Sequence, residues 1–266
     1  MREITGPPGA PVLVLLHGWT ATADLNWFTA YQALGRRFRV LALDHRGHGR
    51  GIRSRRRFRL EDCADDVAAM ADVLGVERFI PVGYSMGGPV AQLTWRRHRD
   101  RVSGLVLAAT SRNFRGRPIE RLWFSALPGA AMTARLTPQV VQRRMADRLL
   151  GDRLAGSPLT GWMNGEFRRG DPTAVLSAGA ALGQFSSHDW IGDVDVPTAV
   201  IVTEQDRVVA PQRQRKLAAA IPGATVHPVA GDHGACVADA RRFVPVLVEA
   251  CQRVAERAGQ PVSGRY

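Results

Sequence analysis

Cysteine is scarce in this chain of 266 residues, and the three that occur, Cys63, Cys236 and Cys251, are odd in number and match no metal-ligand spacing. A disulfide framework is therefore not expected, whereas reduced thiols are. Long apolar runs are also missing. No stretch reaches the roughly eighteen residues of a membrane helix, and the segment from Pro11 to Leu16 is too short for a signal-peptide core. The expectation is a cytoplasmic protein with no integral membrane segment. Repeats and low-complexity tracts are absent. Acidic charge is in deficit: 24 Asp and Glu face 36 Lys and Arg, nearly all of them arginine, for a net charge of +12. No nucleic-acid-binding motif accompanies that charge, so it reads as an arginine-rich composition and no nucleic-acid partner is expected. At most it suggests weak association with anionic surfaces. The densest stretch runs from Arg50 to Arg59 and reads as a solvated loop; beside a pocket it would attract carboxylates, phosphates or an acidic lipid surface.

The length and the 45% hydrophobic content suit one globular domain with a sizeable core and an insertion. Its most informative stretch is Gly83-Tyr84-Ser85-Met86-Gly87, a G-x-S-x-G between an apolar run, Arg78 to Val82, and a helical run, Pro89 to His98. This spacing puts Ser85 on a tight strand-to-helix turn, with glycines where strand and helix approach too closely for a side chain. A serine hydroxyl is a weak nucleophile, and it needs a base for its proton and donors for the oxyanion that forms. The helix after Ser85 aims free N–H groups and a positive dipole end at that oxyanion, and Pro89 in its first turn costs no hydrogen bond.

In chain order, Val12 to Leu16 reads as a buried strand followed by His17-Gly18-Trp19, a turn from which Trp19 can donate its backbone N–H at the sheet edge. A helix is expected over Asn26 to Leu34, closed by Gly35, then a strand from Phe38 to Leu43 and a turn from Asp44 to Gly49. Glu61 and Asp62 open a helix that runs to Leu74 and stops at Gly75. Val102 to Ala109 is another strand. This alternation predicts a mostly parallel, doubly wound α/β sheet flanked by helices. From 111 to 194 the alternation stops: prolines at 118, 128, 138, 158 and 172 and helical patches such as Gln139 to Leu150 predict a helical lid insertion, with the core formed by 1–110 and 195–266. Phe114, Trp123, Phe124, Leu127, Trp162, Phe167 and Phe185 would pack the lid or line an apolar pocket.

Strand character returns at Val196 to Val202 and at Ala224 to Val229. The first is followed by Glu204-Gln205-Asp206, the second by Gly231-Asp232-His233. An acid and a histidine that follow sheet strands can converge on Ser85 at one sheet edge. His233 is then the general base and Asp206 its orienting partner, in the chain order Ser, Asp, His. Glu204, two residues from Asp206, is the rival acid, and Asp206 is the preferred one. His188 is the rival base, His227 sits in a strand pattern, His98 ends a helix, and His17, His45 and His48 lie in turns where ring-to-backbone bonds are expected. Cys236 reads as a small buried hydrophobe rather than a second nucleophile.

These motifs together resemble the α/β-hydrolase fold family: His17-Gly18-Trp19 its oxyanion turn, Asp44 to Gly49 its second-strand loop, Gly83 to Gly88 its nucleophile elbow, with Asp206 and Gly231-Asp232-His233 completing the set over residues 12 to about 250. The resemblance implies a serine hydrolase with an oxyanion hole made by the backbone N–H groups of Trp19 and Met86, and it calls for no cofactor or metal. Ser85 argues against dehalogenase and epoxide-hydrolase chemistry, which in this family use an aspartate at that place. The implied activity is hydrolysis of a small-molecule carboxylic ester with a small or medium apolar acyl group. Carbon-carbon bond hydrolysis, lactone hydrolysis and haloperoxidase-like perhydrolysis share the triad and stand as alternatives, as does a non-catalytic ligand-binding role. Members usually begin with a hairpin, and only eleven residues precede Val12; the first two strands are expected to be short or absent. Oligomeric state is not legible in the sequence.

Overall fold

The protein is described by a computed structural model covering residues 1–54, 56–116, 118–137, 160–260 and 262. Seven strands form one sheet in the order β1-β3-β2-β4-β5-β6-β7: β1 Arg2–Ile4, β2 Val12–Leu16, β3 Arg39–Leu43, β4 Ile80–Tyr84, β5 Leu105–Ala108, β6 Thr198–Thr203 and β7 Thr225–Val229. Every pairing is parallel except that of β1, which runs antiparallel along β3. One three-residue strand, β1, stands ahead of β2 among the described residues. The continuous apolar strands follow from burial on both faces. Leu13, Leu15, Val40, Ala42, Ile80 and Val82 face one core, while Val14, Leu16, Leu41, Leu105 and Val200 face the other.

Helices cover both faces: α1 Ala23–Trp27, α2 Tyr31–Gly35, α3 Leu60–Val73, α4 Gly87–Arg97, α5 Pro118–Leu136, α6 Thr160–Arg168, α7 Pro172–Gln184, α8 Pro211–Ala220, α9 Ala235–Ala238 and α10 Ala240–Arg257. Local chemistry accounts for several ends. Thr22 caps α1 by accepting from the Leu25 N–H, and Asp171 caps α7 from the Thr173 and Ala174 N–H groups with Pro172 behind it. Gly75, just past α3, has φ +62°.

The helix expected over Asn26 to Leu34 is instead two short ones. The Ala30 N–H turns back to the Trp27 carbonyl, and the Thr29 hydroxyl donates to the Cys236 carbonyl at 2.7 Å, so a tertiary contact interrupts the ladder. Gly35 does not close this helix with a left-handed residue. It lies inside α2, where a Cβ would sit 2.5 Å from Ile4 Cγ2. The helices α5, α6 and α7 and a short 3-10 turn at Ile191–Asp193 occupy the chain between β5 and β6. The helical patch expected over Gln139 to Leu150 lies outside the described residues.

Candidate active site

The strand β4 hands over to α4 through Ser85, whose φ of +52° is left-handed for a residue that carries a Cβ. The glycines around it are dictated by contact. A Cβ on Gly83 would stand 2.3 Å from the Gly87 carbonyl oxygen, and one on Gly87 would stand 2.1 Å from the Leu16 carbonyl oxygen. The strained serine is held from several sides. Its N–H donates to the Ala108 carbonyl at 3.0 Å, and its carbonyl accepts from the Gly88 N–H at 2.9 Å and from Thr110 Oγ1 at 2.8 Å.

Asp206 follows β6 and His233 follows β7, and the structure brings both to Ser85. His233 Nε2 lies 3.0 Å from Ser85 Oγ, and His233 Nδ1 lies 2.7 Å from Asp206 Oδ2. Asp206 is buried and fully used: Oδ1 accepts from the Val208 and Val209 N–H groups, each at 2.8 Å, and Oδ2 accepts from Thr203 Oγ1 at 2.8 Å and Gln214 Nε2 at 3.2 Å. Burial alone pushes this carboxyl up, but the bond and charge of His233 with the donors around it outweigh that and hold it below the usual carboxylate range. The His233 main chain is fixed too, its carbonyl accepting from the Tyr84 hydroxyl at 2.8 Å. Sequence reasoning missed Tyr84, Thr110, Thr203 and Gln214, which act through their neighbours and leave no local motif.

The rival residues fall elsewhere. Glu204 is paired with Arg215 at the surface. His188 is exposed, with its ring against Asn113 at 2.7 Å. His227 lies on β7 against Thr225, and His98 caps α4 with its ring 2.9 Å from Asp65. Burial pushes the Cys236 thiol up to about 12, which leaves no thiolate at neutral pH.

The turn after β2 runs directly past the serine, since a Cβ on Gly18 would stand 3.4 Å from Ser85 Cβ. The Gly18 N–H is occupied by Asn26 Oδ1 at 2.9 Å. Among the described residues the backbone N–H groups of Trp19 and Met86 donate to no protein acceptor, which leaves them available to a ligand. Thr20 next to Trp19 has φ +67°, an outlier for a β-branched residue.

The turn histidines do more than bond to backbone. His17, His45 and His48 cluster, with tilted rings whose centroids are 4.3 Å (His17 to His45) and 5.3 Å (His17 to His48) apart. His17 Nδ1 donates to the Gly18 carbonyl, and its Nε2 accepts the His45 N–H. Among the described residues both ring nitrogens of His45 and Nε2 of His48 have no partner. Desolvation lowers all three, His48 to about 3. Among the described residues no group of His, Cys, Asp or Glu is arranged to hold a metal ion. From the arginine-rich stretch, Arg57 and Arg59 line a cavity of about 450 Å³ with Phe58, Glu61, Gln184 and Phe185; Ser85, Asp206 and His233 take no part in it.

With this geometry in place, the family profile described as alpha/beta hydrolase fold matches residues 11–240. The chain belongs to the α/β-hydrolase fold family. It is similar to the pimeloyl-[acyl-carrier protein] methyl ester esterase of Chromobacterium violaceum, 28% identical over 249 residues that cover 90% of this chain and 93% of that one. It is also similar to the non-heme haloperoxidase of Rhodococcus erythropolis, 28% identical with 76% of each chain covered. Among solved structures, the enol-lactonase from Burkholderia xenovorans superposes with a TM-score of 0.77 at 25% identity, covering 94% of this chain and 95% of that one. No described helix of this α/β hydrolase is long and apolar enough to cross a membrane.

Proposed function

We propose that the protein is a serine hydrolase that cleaves carboxylic esters with small or medium apolar acyl groups through an acyl-serine intermediate. One observation carries the reading: an unbroken hydrogen-bonded chain from Ser85 Oγ through the His233 ring to a buried Asp206. In this reading His233 Nε2 takes the Ser85 proton as Oγ attacks the ester carbonyl, and the oxyanion accepts from the N–H groups of Trp19 and Met86. The tetrahedral adduct collapses, the alkoxide leaves with the proton from His233, and Ser85 is left acylated. Water then attacks the acyl carbonyl, giving its proton to His233, and Ser85 departs as that proton returns to Oγ. Asp206 keeps Nδ1 protonated and stabilises the imidazolium. The residues 111–194 serve as the lid over a core of 1–110 and 195–266, and the exposed side chains of Leu122, Trp123 and Trp162 supply apolar surface for an acyl chain. We place the protein in the cytoplasm, in keeping with three unpaired buried cysteines. Its positive charge supports weak association with anionic surfaces, which added salt should abolish.

The test is hydrolysis of p-nitrophenyl esters from acetate to palmitate by the wild type and by Ser85→Ala. Activity that collapses in the variant is the expected result, and the chain-length optimum sizes the acyl pocket. Equal rates in both proteins, or none in either, would overturn the esterase reading. Perhydrolysis and lactone hydrolysis, suggested by the haloperoxidase and enol-lactonase similarities, would appear as turnover of peracid-forming mixtures or lactones that also depends on Ser85.

A further inference from the structure

The turn from Trp19 to Thr22 is tied at both ends to the helices that precede β6. At its start, Trp19 Nε1 donates to the Val175 carbonyl in α7 at 2.7 Å. The same ring lies so close to α7 that a Cβ on Gly179 would stand 2.5 Å from Trp19 Cζ2, and Trp123 of α5 meets it edge-on with centroids 5.2 Å apart. At its end, Thr22 Oγ1 donates to Glu166 Oε2 of α6 at 3.0 Å. Glu166 is 2% exposed, and Arg50 and Arg169 donate to its Oε1 at 3.1 and 3.0 Å, so its charge is compensated where it is buried.

Between these two ties lies Thr20 at φ +67°. A β-branched residue in the left-handed region is strained and persists only where its surroundings over-determine it. Within the turn itself the Ala21 N–H bonds to the Gly18 carbonyl at 3.3 Å, a long contact. The flanks of the turn are fixed to the core, the Gly18 N–H by Asn26 Oδ1 at 2.9 Å and the Ala23 N–H by Asp44 Oδ1 at 2.7 Å, and the ties to α6 and α7 add the constraint on the residues between them.

We propose that the Trp19 indole and Glu166 are positioning residues: through Val175 and Thr22 they hold the turn in its strained form, so that the Trp19 N–H faces Ser85 only while α6 and α7 are docked. The inference rests on the serine-hydrolase reading and goes beyond it, because it makes the inserted helices part of the oxyanion site as well as a cover. Displacing a catalytic donor by about 1 Å can cost a hundredfold in rate.

The experiment uses the full chain and two variants. Trp19→Phe keeps an aromatic ring and removes the N–H; Glu166→Gln keeps the shape and removes the charge. Each is measured for kcat and KM on p-nitrophenyl acetate and for the second-order rate of Ser85 labelling by a fluorophosphonate, whose tetrahedral adduct needs the same donors. The expected result is a loss of about tenfold or more in kcat and in labelling together, with KM within about twofold. Thr20→Gly, which adopts positive φ without strain, should recover most of that loss in either background. Wild-type kcat and labelling in both variants, a rise in KM at unchanged kcat, or no recovery by Thr20→Gly would each overturn the proposal. If Trp19→Phe does not fold, Glu166→Gln with and without Thr20→Gly decides alone. A wild type that neither labels nor hydrolyses any ester would instead overturn the parent reading.

Discussion

Thr110 Oγ1 donates to the carbonyl of Ser85 at 2.8 Å, so a residue at the end of β5 pins the one left-handed residue at the end of β4. The Gly88 N–H shares the same carbonyl, and a Cβ on Gly88 would stand 2.2 Å from Thr110 Oγ1. The elbow is therefore a three-way contact among Ser85, Gly88 and Thr110. Replacing Thr110 by Val keeps the shape and removes one of two donors to a carbonyl that stays bonded. We expect a loss of about 1 kcal/mol in chemical denaturation, with kcat falling more than KM changes.

Asp206→Asn should lower kcat by about 10⁴, because an amide donating to Nδ1 would select the wrong tautomer of His233. Glu204→Gln, two residues away, should leave kcat unchanged, since Glu204 pairs with exposed Arg215 and not with His233. A steady-state comparison of the two variants checks the assignment. A large loss in Glu204→Gln would shift the acid's role to that residue.

The buried histidines make stability fall on acidification. His17, His45 and His48 are held neutral by desolvation, so below the unfolded value of about 6.5 the unfolded chain gains protons that the folded one does not. Each such histidine then costs about 1.4 kcal/mol per pH unit, until the folded group itself titrates, for His48 at about 3. Thermal unfolding at pH 7.5, 6.0 and 5.0 should show Tm dropping steadily. His45→Leu should flatten the decline and hold Tm at neutral pH, because neither His45 ring nitrogen has a partner to lose. An unaltered slope in that variant would show that the acid sensitivity lies elsewhere.

Cys63, Cys236 and Cys251 are all buried and unpaired. Burial raises each thiol, Cys236 to about 12. A disulfide-exchange reagent at pH 8 should find no rapidly reacting thiol in the native protein and three after denaturation. A fast native thiol would mean that one of these sites opens.

The elements most legible in the sequence were those whose cause is local. The apolar strands, the glycines flanking Ser85 and the acidic start of α3 each announce themselves within a few residues. Asp206 and His233 were legible because a parallel sheet delivers whatever follows its strands to one edge. What stayed hidden depends on contacts between distant segments. The break between α1 and α2 is set by Cys236, 207 residues from Thr29, and the tie from Thr22 to Glu166 spans 144 residues. His17, His45 and His48 looked like turn residues, since nothing in a turn motif says that the loops after β2 and β3 will meet in one buried cluster.

The short strand β1 also covers one edge of the sheet. It lies along β3, whose Val40, Leu41 and Ala42 form an apolar run, and it is fastened by Arg2 to Asp24 at 2.6 Å and Glu3 to Arg39 at 2.8 Å. The opposite edge of the sheet, β7, carries Pro228, which has no N–H to offer a stranger. Without β1 the row of β3 amide and carbonyl groups would be an open template for another chain. Removal of Arg2–Ile4 should therefore expose that edge and favour strand addition by another chain.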